Sequence, residues 1–144
     1  MDENDFSPRP VASWYMLAAV ASLLVTATFC ILYLMHMLSD PAAMPVDQRA
    51  AYEATPAWVI GAFGLGAWTG LAGGLLLVMR RRQAEIAMLV SLAGMAMWLA
   101  GSLIAAPLRE AMSATDLVVI IAAVALTWTI FWFARHSRMR GWIV

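Results

Sequence analysis

Few side chains in this 144-residue sequence could carry out chemistry, and those few are far apart. Two imidazoles could ligate a haem iron: His36 lies at the end of the first apolar segment, and His136 lies just beyond the last one. If both segments cross a membrane, these rings lie on opposite sides of it, so they cannot bind the same iron. The single cysteine, Cys30, lies inside the first apolar segment, where we expect it to act as a small buried hydrophobe.

Other reactive arrangements are missing from the sequence. The four long apolar segments contain no Asp, Glu, Lys or Arg, although intramembrane proton and ion pathways depend on such residues. No cluster has metal-ligand spacing, no nucleophile has a base nearby in the sequence, and no phosphate-binding loop occurs. Basic and acidic residues number nine each, which leaves no basic surface for nucleic acid. We therefore predict a non-enzymatic protein without a cofactor, a metal or a nucleic-acid partner.

Glycines dominate the second apolar segment at helical spacing. One face of the predicted helix contains Gly66, Gly70, Gly73 and Gly74, and the opposite side contains Gly61, Gly64 and Trp68. The third segment repeats the pattern more weakly, with Gly94 and Gly101 on one face around Trp98. In lipid, small residues let helix backbones approach closely, within one chain or between chains. The glycines therefore predict helix packing, and they leave open whether another chain takes part.

Three tryptophans, Trp68, Trp98 and Trp128, lie deep within the apolar segments, whereas the others lie near predicted membrane interfaces. A buried indole N–H needs a hydrogen-bond acceptor. The deep rings could line a pocket for an apolar or sugar-like ligand, or they could pack in the core and contact lipid.

The composition requires a lipid environment for these elements. Hydrophobic residues make up 63% of the chain, the mean hydropathy is +0.78, and charged residues make up only 12%, against about 25% in soluble domains. Four apolar segments approach or exceed the roughly 20 residues that a membrane-spanning helix needs; they are residues 11–38, 57–79, 86–106 and 117–134. The predicted fold is all-α, a single integral membrane domain over residues 1–144 with four transmembrane helices. Residues 46–54 could form a short surface helix, and the first segment is expected to be a retained helix rather than a cleaved signal.

Arginines predict the orientation. One side of the membrane would contain Arg9, Arg80, Arg81, Arg82, Arg135, Arg138 and Arg140, whereas the other would contain only Arg49 and Arg109. The positive-inside rule then places both termini in the cytoplasm. We expect the protein in a bacterial inner membrane, where Arg80, Arg81 and Arg82 could also bind anionic lipid headgroups.

A stretch covering about a third of the chain carries a resemblance. Its residues are Tyr52, Pro56-Ala57-Trp58, Gly64, Gly66, Trp68, Gly70, Gly73, Arg80, Ser91-Leu92 and Gly94. With these residues the chain resembles a group of small bacterial four-helix inner-membrane proteins that often receive an automatic "sugar transporter" label. The resemblance implies the four-helix architecture and a transport role.

Three functions remain open from the sequence. The first is an accessory or structural subunit, or a homo-oligomer, that packs against other membrane chains through its glycine faces. The second is a transporter for a small neutral, sugar-like solute that acts as an oligomer, with Ser91, Ser102, Thr69 and Thr127 along a water-accessible path. The third is a subunit that binds a pigment, a quinone or a lipid around the deep tryptophans. Membrane lipids are partners in every case.

Overall fold

A computed structural model describes residues 10–144, and within this range the chain is helical, without strands. The helices in chain order are α1 (Tyr15–Leu38), α2 (Val46–Ala54), α3 (Ala57–Val78), α4 (Gln83–Ile104), α5 (Ala106–Ala111) and α6 (Ala114–Met139), with a short 3-10 turn over Pro41–Ala43. Helices α1, α3, α4 and α6 are each long and apolar enough to cross a membrane. The all-α fold and the four membrane-spanning helices predicted from the sequence are confirmed.

The helix ends differ from the ends of the apolar segments. Helix α1 begins four residues after the start of its segment, whereas α6 extends beyond its segment at both ends. Hydropathy measures which side chains suit lipid, but a helix ends where its backbone groups find caps. At the start of α6, the Ser113 hydroxyl accepts from the Asp116 N–H at 3.2 Å, and Asp116 Oδ2 accepts from the Ser113 N–H at 2.9 Å. This capping box, visible in the sequence, sets the start of α6 at Ala114.

Helix α3 is the centre of the bundle. It packs against α1 on one side and most extensively against α4 on the other, and α4 in turn packs against α6. Half of the membrane-spanning part of α3 is buried within the chain, against 28% for α1 and for α6. Helices α1 and α6 therefore expose the most apolar surface, which suits contact with lipid.

The two ends of the bundle have opposite charge. The basic end contains Arg80, Arg81, Arg82, Arg135, Arg138 and Arg140, together with the ends of α3 and α6. The acidic end contains helices α2 and α5 and the residues Asp40, Asp47, Glu53, Glu110 and Asp116. Arg9 lies outside the described residues. Which end faces the cytoplasm stays a prediction from the arginine distribution.

At the basic end, hydrogen bonds join the last residues of the chain to the turn between α3 and α4. Residues 142–144 follow α6 and run along the turn between α3 and α4, where the Arg82 N–H donates to the Val144 carbonyl at 3.1 Å. The Val144 N–H donates to the Arg80 carbonyl at 2.9 Å, and Arg80 Nε donates to the Trp142 carbonyl at 3.2 Å. These bonds hold the end of α6 against the α3–α4 hairpin, although α6 is last in the chain.

Candidate functional site

The glycines of α3 and α4 form the contact between these two helices. A Cβ atom added at Gly94 would lie 2.7 Å from the backbone nitrogen of Gly66. One added at Gly70 or Gly73 would lie 2.7 Å or 2.6 Å from side-chain atoms of α4. Ordinary contact with a Cβ begins at about 3.4 Å, so the two backbones approach closely because these positions have no side chain.

The remaining predicted glycines have other neighbours. Gly64 and Gly74 face α1, where an added Cβ would lie 2.8 Å from the Tyr33 ring and from Thr26 Oγ1, respectively. Gly101 packs against the start of α3, where an added Cβ would lie 2.6 Å from side-chain atoms. Only around Gly61, among the predicted packing glycines, is there open space within 4 Å. Seven of the eight predicted glycines therefore lie in contacts within the chain.

The three deep tryptophans do not form one site. Trp68 is 48% exposed and Trp128 is 58% exposed, and they lie on different helices, α3 and α6. Both therefore present their rings to the surroundings of the bundle. Trp98 is partly buried and stacks on Phe63, with ring centroids 4.2 Å apart and planes 18° apart. Of the three, only Trp98 lines a cavity that lies between the ends of the long helices.

The hydroxyls proposed for a polar path bond to backbone carbonyls instead. Ser91 donates to the Gly66 carbonyl at 2.7 Å across the α3–α4 contact. Ser102, Thr69 and Thr127 each donate to a carbonyl one turn earlier in their own helix, at 2.6–2.9 Å. Only Ser102 lines the cavity.

This cavity, named here the acidic-end chamber, has a volume of about 610 Å³. It lies between the ends of α1, α3, α4 and α6, and residues of α2 and α5 cover it. Phe63, Trp98 and the buried Ser102 form its deep part, whereas Asp47 and Asp116 lie at its exposed rim. The chamber is thus apolar and aromatic inside and polar at its mouth.

An imidazole and a phenol form one wall of the chamber. The rings of His36 and Tyr52 pack together with centroids 4.7 Å apart, which brings the end of α1 against α2. His36 Nε2 is buried and has no hydrogen-bond partner among the described residues. His136, by contrast, stacks on Trp132 at 5.3 Å near the basic end of the bundle, far along α6 from the chamber.

The charged residues that line the chamber are both carboxylates. Asp116 uses Oδ2 for its contacts with Ser113, and Asp47 lies in the first turn of α2. Neither of the two arginines near this end lines the chamber, and Arg49 pairs with Glu53 at 2.7 Å instead. The chamber therefore has a negative rim and no cationic lining residue.

The three arginines at the opposite end, Arg80, Arg81 and Arg82, have different surroundings. Arg80 has a left-handed backbone (φ 58°), and its guanidinium lies 5.8 Å from the centre of the Tyr15 ring. Arg81 and Arg82 are exposed and are free to meet lipid headgroups, so the proposed lipid contact would rest on these two. Among residues 10–144, no three His, Cys, Asp or Glu side chains converge as a metal site would require.

Comparisons with protein-family models, with curated proteins and with solved structures give no match to this chain. The resemblance to the group labelled "sugar transporter" thus stays a prediction. The sequence does not predict the chamber, because its wall comes from four distant segments, around residues 36, 52, 63 and 98. No local pattern links them, although Tyr52 stands within the resembling stretch and His36 is one of only two histidines.

Proposed function

We propose that this chain is a non-catalytic, multi-pass membrane protein that binds a small amphipathic molecule in the acidic-end chamber. The observation that carries the proposal is a chamber of about 610 Å³ with a stacked aromatic floor and a polar rim. Small-molecule sites typically have volumes of about 300–1,000 Å³, apolar walls and a few polar groups.

The amphipathic character of the ligand follows from the distribution of the lining. Phe63, Trp98 and Ile120 offer apolar surface in the deep part of the chamber, and the rim offers carboxylate and amide groups. An apolar group would therefore enter first, and a polar group would remain at the mouth. Transport of a solute through an oligomer remains a prediction. The resemblance to the group labelled "sugar transporter" favours transport, and binding of the solute would be its first step.

Cysteine accessibility tests this function with a matched pair of variants. Ala51 and Ala54 are both on α2 and both partly exposed, but only Ala51 lines the chamber. In a Cys30→Ala background, we expect 2-phenylethanol to slow the reaction of Ala51→Cys with a small water-soluble thiosulfonate. Ala54→Cys should react at the same rate with and without 2-phenylethanol. If 2-phenylethanol protects neither cysteine, or both equally, the chamber does not bind this molecule and the proposal fails.

A second candidate is assembly with another membrane chain, and one observation favours it. Gly61 has open space around it, and Leu65 and Trp68 on the same face of α3 are 49% and 48% exposed. Together they form an exposed, apolar stripe that a helix of another chain could contact, either in a larger complex or in a homo-oligomer. Because Gly70 packs against other helices of the same chain, its substitution would test the fold rather than assembly.

The assembly candidate is tested by substitution at the open glycine. We expect Gly61→Leu to reduce the oligomer or the co-purified partner in mild detergent, while the helix content stays unchanged. Ala125→Leu is the control, since Ala125 is exposed on α6, away from this stripe. A wild-type chain that runs as a monomer without partners would contradict this candidate, as would equal effects of the two variants.

A further inference from the structure

We infer that the acidic-end chamber selects a small organic cation, an ammonium compound with an apolar or aromatic group. This inference rests on the proposed binding function and adds the charge of the ligand. It is carried by the juxtaposition, in one cavity, of two rim carboxylates and the aromatic rings of Phe63, Trp98 and Tyr52, with no arginine in the lining.

The charges of the lining favour a cation at the mouth. Asp47 and Asp116 both line the chamber, and no arginine or lysine does. The Asp116 carboxylate contacts Ser113 through Oδ2. Clefts that carry charge of one sign between low-dielectric walls concentrate the field and attract ligands of the opposite sign. An anionic ligand would meet two carboxylates here and no compensating cation.

The aromatic lining favours an organic cation over a bare ion. The rings of Phe63 and Trp98 form the floor, and Tyr52 forms part of the wall against His36. Aromatic ring faces attract ammonium groups, and they also bury the apolar part of the ligand. A bare metal cation would instead need several converging oxygen or nitrogen ligands, and residues 10–144 contain no such cluster.

The experiment compares two probes of similar shape that differ in charge, 2-phenylethylammonium and 2-phenylethanol. Calorimetric titration of the full chain in uncharged maltoside micelles should give at least about tenfold tighter binding of the ammonium at low salt. The preference should shrink as ionic strength rises, because salt screens the exposed rim carboxylates.

Two double variants locate the source of the preference. Asp47→Asn with Asp116→Asn should abolish the preference for the ammonium over 2-phenylethanol. Glu53→Gln with Glu110→Gln removes the same charge from the same end, but neither glutamate lines the chamber, so the preference should persist.

Each outcome bears on a different claim. Equal binding of both probes to the wild-type chain overturns the selection of a cation and leaves the proposed function intact. A preference that survives the double aspartate variant overturns the assignment to these carboxylates. If neither probe binds, both the inference and the binding function fail.

Discussion

Gly94→Ala should destabilise the bundle by forcing α3 and α4 apart. An added Cβ at Gly94 would lie 2.7 Å from the nitrogen of Gly66, 2.9 Å from its Cα and 2.9 Å from the carbonyl oxygen of Ala62. All three are backbone atoms, so no side chain can rotate to make room.

The size of the effect follows from the separation that the methyl group requires. Moving packed surfaces apart by about 0.5–1 Å forfeits a quarter to a half of each atomic contact, and each contact is worth about 0.1–0.2 kcal/mol. Over a few tens of atom pairs this loss is about 2 kcal/mol. The Ser91 hydrogen bond to the Gly66 carbonyl also lengthens, at a cost of about 1 kcal/mol. The higher helix propensity of alanine offsets about 1 kcal/mol of this cost. The free energy of unfolding is therefore expected to fall by about 2 kcal/mol.

Reversible unfolding in mixed detergent and dodecyl sulfate micelles, followed by circular dichroism, measures this difference. The matched control is Gly61→Ala, because a Cβ there meets nothing within 4 Å. We expect Gly61→Ala to change the free energy of unfolding by between zero and about 1 kcal/mol in the stabilising direction. The reasoning is refuted if Gly94→Ala falls within about 0.5 kcal/mol of Gly61→Ala, the usual range for surface substitutions.

Three further predictions use the same unfolding assay. Ser91→Ala should cost about 0.5–1.5 kcal/mol because it removes the hydrogen bond to the Gly66 carbonyl; an unchanged midpoint would contradict this. Gly141→Ala should cost about 1 kcal/mol, since this residue follows the C-cap of α6 with φ 70°, where a Cβ is strained; a more stable variant would refute the capping role. Arg138→Ala should cost at most about 1 kcal/mol, because its pairing with Glu85 is partly exposed, and high salt should erase the difference from wild type.

Much of the helical architecture could be predicted from residues alone, and little of the candidate site could. The capping box at Ser113 and Asp116 is a local pattern, and it forms at the start of α6. The left-handed turn at Arg80 was not predictable, because glycine usually occupies such a position. Arg80 holds this conformation where its side chain reaches the Trp142 carbonyl, a partner 62 residues away.

The packing glycines show where prediction from sequence ends. Their spacing predicts close backbone contact, but spacing does not say which helix makes that contact. The structure turns Gly64 towards Tyr33 of α1 and leaves Gly61, three residues earlier, in open space. The rotation of α3 between α1 and α4 decides this, and apolar residues on all sides of α3 give no hydropathy signal for that rotation.

The sequence by itself determined the helical class, the number of long helices and the positions that can tolerate close approach. These follow from properties of single residues and short windows: hydropathy, helix capping and the absence of a Cβ. Only the tertiary structure decided that most glycine contacts lie within the chain and that His36, Tyr52, Phe63 and Trp98 share one chamber. In a membrane protein, surfaces that face lipid and surfaces that face protein are both apolar. Which of these residues meet therefore depends on the order, rotation and separation of the helices in the folded bundle.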